Sequence, residues 1–114
     1  MAELPVVLVI DDEPHAEALF RVWFRRKFIT IVKPTLAEGK NILDSMDVDV
    51  VVLDYYVEDG FGPELLPVIE PGILTILQTG DEKAFLQHRD QFEAAFLKPY
   101  DMADLEELLE NRLL

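Results

Sequence analysis

Five residues with side chains suited to phosphoryl chemistry each follow a run that reads as a strand: Asp11 and Asp12 after Val6–Ile10, Asp54 after Val50-Val51-Val52-Leu53, Thr79 after Ile73–Gln78, and Lys98 after Ala94–Leu97. Three uncompensated carboxylates in one cleft would repel, and burial would push their pKa values up. One lysine offsets part of that charge. A hard dication offsets the rest, and oxygen-only ligands with room for several waters suit Mg²⁺. With that ion in place, a phosphoryl group finds metal, ammonium and hydroxyl for its equatorial oxygens. Asp54 then serves as the nucleophile of an aspartyl phosphate. Phosphoryl transfer is mostly positioning and charge stabilisation, so little further machinery is required. Taken singly, an aspartate at a strand end is more often a helix cap or a solvated turn residue. The convergence of all five on one edge carries the chemistry.

That convergence depends on the elements between them. The runs read as strands buried on both faces, and each is followed by an amphipathic segment. Pro14 suits a first helical turn, and Ala16, Leu19, Phe20, Trp23 and Phe24 give one apolar face. The Trp23-Phe24 pair is expected in the core, with one ring at its edge. Phe28–Val32 reads as a strand at the sheet's margin, contributing only Lys33 and Pro34 at its end. Thr35 and Glu38 have capping-box spacing, opening a helix to about Met46 with Leu36, Gly39, Leu43 and Met46 inward. After Asp54 a loop runs from Tyr55 to Phe61. Gly62-Pro63 starts a helix that Pro67 shortens or bends. Asp81 caps a helix through about Gln91, with Phe85 and Phe92 buried. Asp101 caps the last one, striped by Met102, Leu105, Leu108, Leu109 and Leu113.

Strand and helix thus alternate five times. Short loops imply right-handed crossovers and a parallel sheet covered on both faces. The expectation is a doubly wound α/β fold, a five-stranded flavodoxin-like (βα)5 sheet of order 2-1-3-4-5. Its strands all end at one edge, where such sheets hold their ligands.

Composition bounds the partners. The 114 residues fit one domain, 1–114, and carry 23 acids against 10 bases, a net charge of −13. Duplex DNA and anionic membranes are themselves polyanions, so neither is expected to bind directly. The absence of cysteine excludes disulfides and thiol–metal sites. The longest apolar run is too short to cross a bilayer, and the first residues lack a signal-peptide pattern. A cytoplasmic protein is the default expectation.

With these residues in place, the chain resembles the receiver domain of two-component response regulators along essentially its whole length. Leu8-Val9-Ile10-Asp11-Asp12-Glu13 is similar to the family's acidic first-strand motif, and Val51-Val52-Leu53-Asp54 to its phosphoacceptor strand. Gly62-x-Glu64-Leu65-Leu66 falls at its third helix. Leu77-Gln78-Thr79-Gly80 matches the switch threonine and the small residue after it, and Phe96-Leu97-Lys98-Pro99-Tyr100 the lysine–proline motif with its usual cis peptide. The resemblance implies that Asp54 takes a phosphoryl group from a histidine kinase or a histidine phosphotransfer protein. It implies Mg²⁺ held by Asp12 directly, Asp11 through water, Asp54, and the backbone carbonyl of Tyr56. Lys98 would pair with the phosphoryl oxygens, and the Thr79 hydroxyl would move to them. A homodimer or effector would dock on the face of the fourth helix, fifth strand and fifth helix.

Some positions depart from the pattern. Ala95 stands where the family has its switch aromatic, and alternation points Phe96 to the other face. The span from Thr79 to Lys98 is short, which abbreviates the fourth helix. Glu58 replaces the usual proline four residues after the acceptor, and Glu58 and Asp59 are expected in a solvated loop. Tyr56 is placed to overhang the phosphoryl group and hinder attacking water. His15 and His88 are expected at the surface. Arg21, Arg25, Arg26 and Lys27 read as a solvated helix end with a favourable dipole interaction, or as a kinase-docking patch. The competing reading is a receiver-fold interaction module that works without phosphorylation. A phosphatase of haloacid-dehalogenase type would want an acid where Tyr56 stands, and a nucleotide-binding Rossmann domain would want a Gly-rich loop after the first strand.

Overall fold

The computed structural model describes residues 3–114. Val6–Ile10 (β1) and Val50–Asp54 (β3) form the centre of a parallel sheet and are buried along their apolar lengths. Ile29–Lys33 (β2) pairs only with β1, Leu74–Thr79 (β6) pairs with β3, and Ala94–Leu97 (β7) closes the other edge. The order β2-β1-β3-β6-β7 is the expected 2-1-3-4-5, with β2 at the margin. In register, Asp54 lies beside Gln78, and Thr79 beside Leu97. The carboxyl ends of the three central strands and β7 therefore meet at one edge.

Alternation along the strands splits the core into two layers. Val7, Val9, Val50, Val52 and Ile76 face Ala16–Phe24 (α1) and Met102–Leu113 (α4). Leu8, Ile10, Val51, Leu53 and Leu77 face Leu36–Ser45 (α2), the 3-10 segment Gly62–Val68, and Phe92 after Glu82–His88 (α3). Phe96 and Ala95 fall in different layers, as alternation requires.

Several local features differ from the sequence reading. α1 begins at Ala16, two residues past Pro14, and buries the narrower stripe Ala16, Phe20 and Phe24, spaced one turn apart. Leu19 and Trp23 lie outside it, 46% and 38% exposed. Met46 is exposed where α2 ends, and Ile42 packs inward beside Leu43. The helix opened by Asp81 stops at His88 and continues as a 3-10 turn, Arg89–Gln91. Phe92 is buried while Phe85 is only half-buried. The predicted third helix is wholly 3-10, with Pro67 inside it. The basic cluster is not uniformly free: Lys27 pairs with Glu110 at 3.0 Å and Glu106 at 3.7 Å on α4, and Arg21 with Glu17 at 3.1 Å. Thr35 caps α2 as expected, accepting from the Glu38 N–H.

The loop after Asp54 holds a small hairpin, Tyr56–Val57 (β4) with Gly60–Phe61 (β5). Its neighbour Gly62 passes so close to β3 that an added methyl group would collide with the backbone oxygen of Asp54. Backbone cannot rotate away as a side-chain tip can. Gly62→Ala is therefore expected to lower the unfolding free energy by about 2–3 kcal/mol, measured by urea denaturation. At Gly80 the nearest atom to an added Cβ is Lys98 Cβ at 3.9 Å. Gly80→Ala should be neutral or stabilising by up to about 1 kcal/mol.

Candidate functional site

At the carboxyl edge, the Lys98 ammonium donates to Asp54 Oδ2 at 2.8 Å and to Asp11 Oδ2 at 3.2 Å. The strand ends impose this meeting: β7 delivers Lys98, whose own N–H donates to the Thr79 carbonyl at 2.8 Å. The Lys98–Pro99 peptide is cis. Asp11 is buried, and its Oδ1 accepts from the Glu13 N–H at 2.9 Å. Asp12 is exposed beside it. One carboxylate oxygen from each of Asp11, Asp12 and Asp54 lies within 4.8 Å of the others.

The electrostatics match the crowding. Burial pushes the Asp54 carboxyl up to about 6, with the Lys98 ammonium opposing and Asp11 adding to the rise. For Lys98, burial disfavours the charge, but the two carboxylates outweigh it and hold the ammonium above its ordinary value. A single lysine thus leaves the cluster short of positive charge. The donors are oxygens, hard and mixed in exposure, with Asp12 open to solvent. They fit a Mg²⁺ ion that keeps part of its water shell.

Asp11, Asp12, Asp54 and Lys98 are brought together as the sequence predicts. Thr79 is adjacent and fully buried, but its hydroxyl accepts from the Asp81 N–H at 3.1 Å and is not bonded to Asp54 or Lys98. Tyr56 reaches Asp81 as well: its hydroxyl donates to Oδ2 at 2.7 Å, while Asp81 Oδ1 accepts from Lys83 and Ala84 at the start of α3. That bond ties the hairpin to the start of α3. Glu58 and Asp59 are exposed, as expected of a solvated loop, and Asp59 also accepts from the Leu36 and Ala37 N–H groups at 2.7 and 3.0 Å. Those bonds hold the Asp59 carboxyl below the ordinary range. His15 is exposed as expected. His88 is only half-buried and packs its ring 5.0 Å from that of Tyr55.

Two residues were not foreseen. Gln78, almost wholly buried, donates from Nε2 to Asp11 Oδ2 at 2.9 Å. The Tyr100 hydroxyl donates to Gln78 Oε1 at 2.6 Å. Burial, with Asp11 and Asp54 nearby, pushes the Tyr100 hydroxyl well above the ordinary phenol range. The sequence carries a partial signal for Gln78: an amide stands at the end of the strand-like segment Ile73–Gln78, directly before Thr79.

Known proteins of this architecture share the fold. A CheY-like response regulator receiver domain from Methanospirillum hungatei superposes with a TM-score of 0.84 at 21% identity, covering 97% of this chain and 94% of its own. The signal receiver domain of an HD domain-containing protein from Pseudomonas fluorescens gives 0.88 at 21% identity, covering 99% and 89%. Response regulator protein TrrA from Thermotoga maritima, solved in complex with Mg²⁺ and a beryllium fluoride, gives 0.82 at 21% identity, covering 96% and 100%. The fold is that of the response-regulator receiver domain. In sequence, the photosynthetic apparatus regulatory protein RegA of Cereibacter sphaeroides is 30% identical over 82 residues, 69% of this chain. The chain spans only 45% of that relative's length. No protein-family model matches the chain. Among the described residues, no helix is long and apolar enough to cross a membrane.

Proposed function

We propose that this chain is a phosphorylation-responsive receiver whose acceptor is Asp54. The observation that carries this reading is the Lys98 ammonium bridging Asp54 and Asp11 beside three carboxylate oxygens grouped within 4.8 Å. Asp11, Asp12, Asp54 and the Tyr56 carbonyl would hold Mg²⁺, which when bound supplies the charge neutralisation that one lysine leaves incomplete. One Asp54 oxygen forms the new P–O bond as the P–N bond of a phosphohistidine breaks. The donor is a histidine kinase or a histidine phosphotransfer protein, met in the cytoplasm. Lys98 turns from the carboxylates to the phosphoryl oxygens, and Thr79 swings from Asp81 towards them. Output goes through the face of α3, β7 and α4, where the abbreviated α3 alters the surface offered to a homodimer or effector.

Beryllofluoride added with Mg²⁺ is expected to raise the thermal midpoint of the wild type by mass action, and Mg²⁺ removal to abolish the rise. No rise with both present would favour the interaction module that works without phosphorylation. The Tyr56–Asp81 bond gives a further expectation: it fixes the ring two residues past Asp54, where we propose that it hinders attacking water. Tyr56→Phe should speed loss of the phosphoryl group about fivefold, the worth of one hydrogen bond, and Tyr56→Ala at least as much. Unchanged dephosphorylation rates would remove Tyr56 from this role.

A further inference from the structure

The Gln78–Tyr100 pair lies outside the roles assigned so far, yet it ends on a residue of the site. Asp11 Oδ2 is shared by two donors, the Lys98 ammonium and the Gln78 amide. A carboxylate accepts only, so the amide must turn its nitrogen to Asp11 and its oxygen away. Tyr100 meets that oxygen with its hydroxyl at 2.6 Å. Removing the hydroxyl would leave the amide's orientation held from one side only. The Tyr100 ring is itself fixed, tilted against Phe96 with centroids 4.9 Å apart. Tyr100 and Phe96 both pack against the layer under α1 and α4. A cleft of about 420 Å³, lined by Asp11, Gln78, Lys98, Tyr100 and Met102 among others, opens beside the pair.

We infer that Gln78 and Tyr100 are positioning residues that hold Asp11 ready for Mg²⁺, Tyr100 acting through the Gln78 amide. The inference rests on the proposed receiver function. Lys98 divides its donors between Asp54 and Asp11, and its 3.2 Å bond to Asp11 is the longer of the two. When it turns to the phosphoryl oxygens, Asp11 Oδ2 keeps one fixed protein donor, and that donor is neutral. The amide therefore keeps the buried carboxylate oriented without competing for its charge as an ammonium would. Ligand carboxylates depend on such partners, whose loss commonly weakens metal binding by tenfold or more.

The test is calorimetric titration of the whole chain with MgCl₂ in four forms: wild type, Tyr100→Phe, Gln78→Leu, and the double variant. Tyr100→Phe keeps the ring against Phe96, so it reports on the hydroxyl without emptying the layer. Gln78→Leu is expected to weaken Mg²⁺ about tenfold and Tyr100→Phe about fivefold. The double variant should bind no more weakly than Gln78→Leu, because Tyr100 has no separate path to Asp11. Wild-type affinity in Tyr100→Phe, or additive losses in the double variant, would overturn the inference and leave the receiver function standing. A wild type that binds no Mg²⁺ would overturn both.

Discussion

Lys98→Met is expected to slow phosphorylation of Asp54 by acetyl phosphate about a hundredfold or more, the usual cost of removing one preorganised stabiliser of transition-state charge. The ammonium sits 2.8 Å from Asp54 and 3.2 Å from Asp11, so it already lies where negative charge collects. Its side chain is 31% exposed and those of its partners 4% and 13%, so water screens the group only partly. The same substitution leaves two buried carboxylates facing each other without a cation. Breaking a buried pair from one side costs about 3–5 kcal/mol, and the metal-free variant should lose stability of that order. Mg²⁺ should restore part of the loss, since a dication replaces the missing charge. A variant phosphorylated at the wild-type rate would remove Lys98 from the chemistry.

The second large effect is a pH dependence with the opposite sign from the usual carboxylate. Folding raises Asp54 from 3.8 to about 6, chiefly through burial. The folded chain therefore holds this proton more tightly than the unfolded one. Asp54's contribution to stability is greatest below pH 3.8, falls as the pH rises towards 6, and stays lost above that. A shift of this size corresponds to about 3 kcal/mol. Asp54→Asn removes the titration but weakens the bond to Lys98. The metal-free variant should thus be more stable than the wild type at pH 7.5 by about 1–3 kcal/mol, with the difference shrinking towards pH 4. Mg²⁺ should narrow the gap at pH 7.5 by stabilising only the wild type's full ligand set. Urea denaturation across this range measures both. A difference that does not change with pH would contradict the assigned burial of Asp54.

Much of this arrangement was legible in the sequence because it depends on strand ends. Strand-like runs closing on Asp11, Asp54, Thr79 and Lys98 specify the sheet, its direction and its functional edge together. The details that escaped depend on side chains meeting across the fold. Nothing local says that Tyr100 will reach Gln78, or that Tyr56 will reach Asp81. The hairpin of Tyr56–Val57 with Gly60–Phe61 has strands of two residues, too short to show alternation. Leu19 and Trp23 satisfied helical spacing, but a nine-residue helix on a curved sheet buries one narrow stripe, and Ala16, Phe20 and Phe24 fill it. Ala95 lies on the layer opposite Phe96, as strand alternation requires. The aromatic that does contact the site's network, Tyr100, comes from the turn before α4.

The most direct test of the account is the intact mass of the chain after incubation with acetyl phosphate and Mg²⁺. The wild type should gain the mass of one phosphoryl group, and Asp54→Asn, or the wild type in excess EDTA, should gain none. The same gain in Asp54→Asn, or no gain in a wild type that binds Mg²⁺, would contradict Asp54 as the phosphoacceptor.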